Sequence, residues 1–198
     1  MITRSLSARP LLAAVLTLGL VFALSQATPA RANYFGPSGC CAYADNGNHG
    51  FNQATMVAYN STAMDYVRGV YANETNMTTF YDATEDPSTD VVAYDQYYTT
   101  YWGLDWDGSS TGRNILAWTK CIDHTLGGEC DRSESRYDLA DTDGMTTAQR
   151  RWIALHETGH SVGLDHSGIV DSMMQTNCVC SIIHINAHDK THINSRWP

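Results

Sequence analysis

The sequence predicts an α+β fold in which five short strands are combined with three helices. Five segments are rich in β-branched and aromatic residues, and turn-forming residues separate most of them. Three further segments begin with a capping residue, and the first of them continues with apolar residues at helical spacing. The predicted order is strand, helix, four strands, a long helix, an irregular segment and a last helix.

The first part of the chain contains the five predicted strands and the first helix. The strand segments are residues 54–60, 77–83, 90–98, 114–121 and 135–140. Between the first two, Met64, Val67 and Val70 recur at helical spacing. Thr62 with Asp65 three residues later resembles a capping box, so we expect this helix to begin at Thr62.

The second part contains the other two helices. Thr146 and Gln149 form an S/T-x-x-E/Q pattern, which predicts that a long helix begins there and continues to Gly163. The last helix is expected within residues 186–197, with Asn186 as its cap.

The N-terminal 32 residues have the order of a secretory signal peptide. Arg4 and Arg9 precede an apolar run over residues 11–24, and Ala-Arg-Ala ends the segment at Ala32. The apolar run is shorter than the roughly 20 residues that span a bilayer. We therefore expect residues 1–32 to be removed on export and residues 33–198 to form one domain outside the cell.

The charge of the exported part argues against two classes of partner. Loss of Arg4, Arg9 and Arg31 lowers Lys+Arg from 12 to 9 while Asp+Glu stays at 21, so the formal charge becomes −12. Such a surface repels phosphate backbones and anionic lipids. We expect neither nucleic acid nor membranes as partners, and we expect a monomer.

The six cysteines predict disulfides, because an even number in an exported chain favours oxidation. Cys121 and Cys130 enclose a short glycine-containing loop and are expected to pair. Neighbouring cysteines pair poorly with each other, so we expect Cys40 and Cys41 to bridge to Cys178 and Cys180, in one of two ways. A four-cysteine metal site is the alternative.

The segment HETGHSVGLDH, residues 156–166, predicts a zinc site. His156 and His160 are one turn apart and project from one face of the long helix, where both can bind one Zn²⁺. Gly163 can end the helix, and His166 can then return as the third ligand. A fourth position stays open for water, and Glu157 is placed to exchange protons with it. Asp165, beside His166, is the alternative third ligand.

This segment resembles the H-E-x-x-H-x-x-G-x-x-H signature of metzincin zinc metalloproteases, in particular small secreted bacterial members. The resemblance implies a methionine turn beneath the metal, which Ser172-Met-Met supplies, with Met174 preferred to Met173. It also implies a twisted five-stranded mixed sheet, an active-site helix and a small C-terminal subdomain with a last helix. Residues 33–198 would then be the catalytic domain.

The resemblance further implies a secreted endopeptidase that hydrolyses polypeptides with zinc-activated water and Glu157 as the general base. The strand next to the active-site cleft would bind extended substrate; by position its residues are Ile115, Leu116, Ala117, Trp118 and Thr119. A zinc amidase or deacetylase, and a non-catalytic secreted binding module, are the alternatives.

Two other patterns suggest metals less strongly. The sequences DWDG at 105–108 and DTDG at 141–144 hint at Ca²⁺, but each is too short for a complete calcium loop and Asp-Gly is common in turns. His184, His188 and His192 recur every four residues, which we interpret as a helix stripe rather than a second metal site.

Overall fold

A five-stranded mixed sheet is the framework of the described chain. The computed structural model describes residues 43–198. Cys40, Cys41 and the predicted signal peptide lie outside this range. The strands along the chain are β1 (Asn48–Asn52), β2 (Thr78–Tyr81), β3 (Val91–Gln96), β6 (Ala117–His124) and β7 (Cys130–Asp138). Their spatial order is β2-β1-β3-β7-β6, with β6 antiparallel to β7 and every other pair parallel. Within residues 43–198, β6 pairs only with β7 and therefore lies at an edge of the sheet.

The helices are α1 (Ala58–Glu74), the short α2 (Leu139–Thr142), α3 (Thr147–Ser161) and α4 (Ala187–Arg196). Helices α1 and α3 pack against each other, and α3 also packs against β6 and β7. One core joins the sheet, the helices and the segment before α4, and it includes Phe51, Met64, Val67, Leu155 and Ile193. This core holds α3 alongside the edge strand. The α+β class and the five-stranded mixed sheet are confirmed.

The capping predictions for the last two long helices are confirmed. The Thr146 hydroxyl accepts from the backbone N–H of Gln149, and the Gln149 side chain accepts from the backbone N–H of Thr146. The Asn186 side chain accepts from the backbone N–H of Asp189 at 2.8 Å. Both helices begin where local sequence alone provides the cap.

The prediction of a strand over residues 54–60 is wrong. The first strand lies earlier, at Asn48–Asn52, and helix α1 already begins at Ala58 rather than at Thr62. The helix start is fixed from a distance, because the Asp95 carboxylate of β3 accepts from the backbone N–H of Val57 and from the Asn60 side chain. The sequence near Thr62 carries no sign of this partner.

The segment between β3 and β6 contains structure that the sequence did not predict. Strands β4 (Thr100–Tyr101) and β5 (Leu104–Asp105) form a small hairpin there. The predicted strand over residues 135–140 is longer at its start and shorter at its end, because Leu139 and Ala140 belong to α2. The Asp138 carboxylate caps α2 by accepting from the backbone N–H of Ala140.

The disulfide predictions are half confirmed. Cys121 pairs with Cys130 as expected, with their Cα atoms 5.7 Å apart. The predicted bridges from Cys178 and Cys180 to Cys40 and Cys41 are wrong, because Cys178 pairs with Cys180. The loop brings these two Cα atoms to 5.1 Å, within the range that a disulfide spans, although only one residue separates them. This pairing also excludes the four-cysteine metal site.

Among residues 43–198, none of the helices is both long enough and apolar enough to cross a membrane.

Candidate active site

The end of α3 turns the chain back towards the helix. Gly163 has a φ of 102°, a conformation that favours glycine. The backbone N–H of Leu164 donates to the Gly159 carbonyl at 2.8 Å, and that of Gly163 donates to the His160 carbonyl at 3.0 Å. These bonds end the helix and direct the following residues back, so that His166 reaches the face that carries His156 and His160.

The three histidines meet at one point. The Nε2 atom of His160 lies 3.1 Å from Nε2 of His156 and 3.3 Å from Nε2 of His166. His156 donates through its Nδ1–H to the Met173 carbonyl at 2.9 Å, and His160 donates likewise to the Leu164 carbonyl at 2.8 Å. These bonds select the tautomer with the proton on Nδ1, so the lone pairs of both Nε2 atoms face the common centre.

Zn²⁺ fits this arrangement. Two nitrogens bound tetrahedrally at 2.0–2.1 Å from one zinc are roughly 3.3 Å apart, and the observed separations are 3.1 and 3.3 Å. Burial lowers the pKa of His156 to about 3 and that of His160 to about 4, so both rings are neutral at pH 7. Neutral nitrogens that converge without a shared proton need a cation between them.

The third candidate ligand is His166 rather than Asp165. Within residues 43–198, the only group of three or more potential ligands that converges in this way is His156, His160 and His166. Asp165 is not a member. Its carboxylate instead accepts from the backbone N–H of His166 at 2.7 Å, which supports the loop that carries this histidine.

Glu157 is buried beside the histidines, with 5% of its surface exposed. It accepts hydrogen bonds from the side chain and the backbone of Thr119, while burial raises its pKa to about 7. Its second carboxylate oxygen, Oε2, has no hydrogen-bond partner among the described residues. A buried carboxylate oxygen without a partner is costly, which indicates that a proton-carrying group occupies this place in the working site.

Met174 is fully buried beneath the histidine-bearing helix. A Cβ at Gly159 would lie 2.2 Å from the Met174 sulfur, so the thioether packs directly against the α3 backbone between His156 and His160. Met173 contributes its carbonyl to His156 instead. The two methionines therefore have different positions, and Met174 is the one packed under the ligand pair.

Asp189 fixes the methionine turn, and sequence reasoning did not identify it. This residue of α4 is fully buried, and its carboxylate accepts from the Ser172 hydroxyl at 2.9 and 3.0 Å and from the backbone N–H of Met173 at 3.1 Å. The Ser172 hydroxyl oxygen in turn accepts from the backbone N–H of Met174. A carboxylate in the first turn of a helix is a common cap, so the sequence alone did not distinguish this role.

A cleft of about 300 Å³ lies between β6 and α3. Its lining includes the complete predicted substrate strand together with Glu157 and the three histidines. The lining residues are Asn114, Ile115, Leu116, Ala117, Trp118, Thr119, Trp152, Ile153, His156, Glu157, His160, His166 and Thr176. The edge of the sheet thus runs beside the candidate metal site.

The two Asp-Gly segments and the histidines of the last helix lie outside the histidine cluster. The Asp105 carboxylate accepts from the backbone N–H groups of Ser110 and Thr111 at 2.9 and 2.7 Å, inside its own loop. Asp141 accepts from the Asn114 side chain at 2.6 Å. The rings of His188 and His192 are 4.7 Å apart, and in the described range neither belongs to a group of three potential ligands.

The metzincin class of zinc peptidases is defined by a mixed sheet and a helix that carries two histidines and a glutamate. A third histidine follows a glycine turn, and a buried methionine lies below the site. The family model of the matrixins matches residues 51–196, so the chain belongs to the matrixin family. It is therefore a zinc metalloendopeptidase, and its substrates are polypeptides. No curated protein matches the chain significantly.

Proposed function

We propose that this matrixin is a secreted endopeptidase in which Glu157 is the general base of hydrolysis. His156, His160 and His166 would hold the zinc ion. The observation that supports this role for Glu157 is its partnerless Oε2 atom, buried in the cleft that the three histidines also line. Zinc held by three neutral nitrogens lowers the pKa of a coordinated water towards about 7 and polarises a carbonyl group.

The chain's own residues handle the proton. Burial raises the pKa of the Glu157 carboxyl above its usual range, which makes this carboxylate a stronger proton acceptor than an exposed one. Glu157 accepts a proton from the attacking water and later donates it to the departing amine. The Thr119 hydrogen bonds hold the carboxylate in one orientation, which leaves Oε2 for this exchange.

We infer that the substrate binds as an additional strand along residues 115–119. The edge strand β6 and the cleft lining overlap at residues 117–119, and Ile115 and Leu116 continue the lining just before the strand. Strand addition uses the substrate's backbone groups for affinity and leaves side-chain selection to neighbouring pockets. This geometry favours an extended polypeptide over the small substrates of an amidase or deacetylase.

We infer from the sequence that the protein is secreted and monomeric. Export is indicated by the charged N-terminus, the apolar run over residues 11–24 and the Ala-Arg-Ala sequence that ends at Ala32. The Cys121–Cys130 and Cys178–Cys180 pairs support an oxidising location.

The test is cleavage of casein by purified residues 33–198, with and without a zinc chelator. We expect cleavage that the chelator abolishes and added Zn²⁺ restores. Cleavage only of small acetylated compounds would favour the deacetylase, and zinc binding without any hydrolysis would favour a binding module. N-terminal sequencing of protein from the culture medium tests export, and light scattering tests the monomer.

A further inference from the structure

The two faces of the edge strand β6 carry different chemistry. Thr119 points inward, where it bonds to Glu157. Trp118 and Lys120, its neighbours on either side, are exposed and lie in register with Arg136 and Glu134 of β7. Since strand residues alternate between faces, the side chains of Trp118 and Lys120 point to the outer face, opposite Thr119, although Trp118 also borders the cleft.

A second tryptophan reaches the same outer face from the β4–β5 hairpin. The ring of Trp102 lies 5.9 Å from the Lys120 ammonium and 5.5 Å from the Arg136 guanidinium. We call Trp102, Trp118 and Lys120 the outer row. It lies on the opposite side of β6 from the buried Glu157 but on the same strand that lines the cleft.

Trp102 has a backbone conformation that is unusual for a bulky side chain. Trp102 and Gly103 form the two-residue loop of the hairpin and have φ angles of 52° and 74°. Such loops favour Asn-Gly, because most side chains disfavour positive φ. A bulky aromatic residue at this place costs backbone energy that asparagine would avoid. The ring's contacts with Tyr101, Arg136 and Lys120, at 5.0, 5.5 and 5.9 Å, offset this cost.

The exposure of Trp118 supports the same conclusion. It is 39% exposed on β6, which pairs only with β7 in the part of the chain that the structure describes, and Ile122, further along the strand, is 41% exposed. Proteins normally protect free edges from unwanted strand pairing, and exposed apolar residues there promote pairing. Their presence indicates that an extended polypeptide pairs with this edge as part of function.

We propose that the outer row is a second specificity surface, which contacts the substrate side chains that point away from the zinc cleft. The proposal rests on substrate binding along β6, as described above. In an added strand every second side chain faces the outer side, and cross-strand neighbours of opposite charge attract. The outer row therefore selects an acidic side chain opposite Lys120 and an apolar or aromatic one opposite Trp118.

The test uses peptide libraries in which one position at a time carries Glu or Lys. For the wild-type protein we expect kcat/KM to favour Glu about two- to fivefold at one position, or at positions an even number of residues apart. Lys120→Glu should reverse this preference at the same positions. Lys190→Glu, an equal change of charge on α4 outside the cleft lining, should leave the preference as it is.

A second variant separates folding from recognition. Trp102→Asn places a residue that tolerates positive φ in the turn, so we expect the melting temperature to be maintained. Peptides with an aromatic residue at an outward position should lose about two- to tenfold in kcat/KM relative to peptides with Ala there.

The outcomes distinguish this proposal from the previous one. If the wild-type protein cleaves peptides but Lys120→Glu changes no positional preference, the outer row does not contact substrate. The same follows if the altered positions are an odd number of residues apart. If no peptide is cleaved by the wild-type protein, the proposed endopeptidase function fails, and the outer row fails with it.

Discussion

His156, His160 and His166 are identifiable from the sequence because the geometry that brings them together is local. One helical turn separates the first two, and Gly163 reverses the chain before the third. The groups that orient them are less visible. The Met173 carbonyl that fixes the His156 tautomer is 17 residues away, and Thr119, which holds Glu157, lies on another strand. Sequence spacing predicts ligands, whereas their hydrogen-bond partners depend on tertiary packing.

Replacement of Glu157 by Gln should remove hydrolysis without removing zinc. Gln keeps the size of the side chain but cannot accept the proton, so we expect kcat to fall by about 10²–10⁴-fold, the usual contribution of general acid–base catalysis. Zinc content measured by mass spectrometry should remain near one per chain. Loss of zinc in the variant, or turnover close to that of the wild-type protein, would contradict the role of Glu157.

His166 and Asp165 should respond differently to substitution by Ala. Loss of Asp165 removes a hydrogen bond to the loop, so zinc affinity should fall by at most about 10–100-fold, the effect typical of groups that support a ligand. Loss of His166 removes a donor nitrogen and should lower zinc affinity more than loss of Asp165 does. Competition with a fluorescent chelator at pH 7.5 measures both variants. The opposite order would make Asp165 the ligand.

Secondary structure agrees with the prediction where a segment carries its own signal. Helix α3 has a capping box and an apolar face, and both hold in the structure. Strand β1, with the sequence NHGFN, has almost no residue typical of strands. It is a strand because β2 and β3 pair with both of its edges. Local sequence does not report that pairing, so the residue pattern alone favours a strand at 54–60 instead of β1.

Two glycines inside helices provide a matched test of the packing below the ligands. A Cβ at Gly159 would meet the Met174 sulfur at 2.2 Å, whereas a Cβ at Gly69 of α1 has no neighbour within 4 Å. Gly69→Ala should stabilise the protein by about 0.5–1 kcal/mol through helix propensity. Gly159→Ala should destabilise it by about 1–3 kcal/mol through overpacking. Urea unfolding decides; equal effects would show that Met174 does not pack on α3.

The contact between β1 and β3 should make stability depend on pH. Asp90 of this contact is 7% exposed, accepts from the Gly50 backbone N–H at 2.6 Å and lies 3.9 Å from the ring of buried His49. Burial, and to a lesser degree the charges of Asp45 and Asp131, raises its pKa to about 7. A raised pKa means that the folded state binds the proton more tightly, so the stabilisation present at low pH is lost as the pH rises towards 7.

Asp90→Asn mimics the protonated carboxyl and removes this titration. The free energy of unfolding of the variant minus that of the wild-type protein should therefore increase by roughly 1–3 kcal/mol from pH 5 to pH 8. Denaturant unfolding of both zinc-free proteins at the two pH values measures the difference. A difference that does not change with pH would show that Asp90 titrates in its ordinary range.

The segment between α3 and α4 is held to the rest of the fold by buried apolar residues, among them Leu164, Met174 and Ile182, and by hydrogen bonds. No described helix or strand lies between Ser161 and Ala187. Its hydrogen bonds to the rest of the fold include the Met173–His156 bond, the bonds from Ser172 to the Asp189 carboxylate, and the bond from the Tyr66 hydroxyl to the Ile183 carbonyl at 2.9 Å. A metal bound by His166 adds a further attachment, so folding of this segment and zinc binding are coupled.

Removal of zinc should therefore loosen residues 164–176 before the sheet. A ligand that binds only the folded state stabilises it by about 4 kcal/mol at a concentration 1,000 times its dissociation constant, so a chelator should lower the melting temperature. Hydrogen exchange should increase mainly between Leu164 and Thr176, while β3 and β7 in the centre of the sheet keep their protection. The His166→Ala variant should show this pattern without a chelator. Uniform loss of protection would mean that zinc stabilises the entire fold rather than this segment.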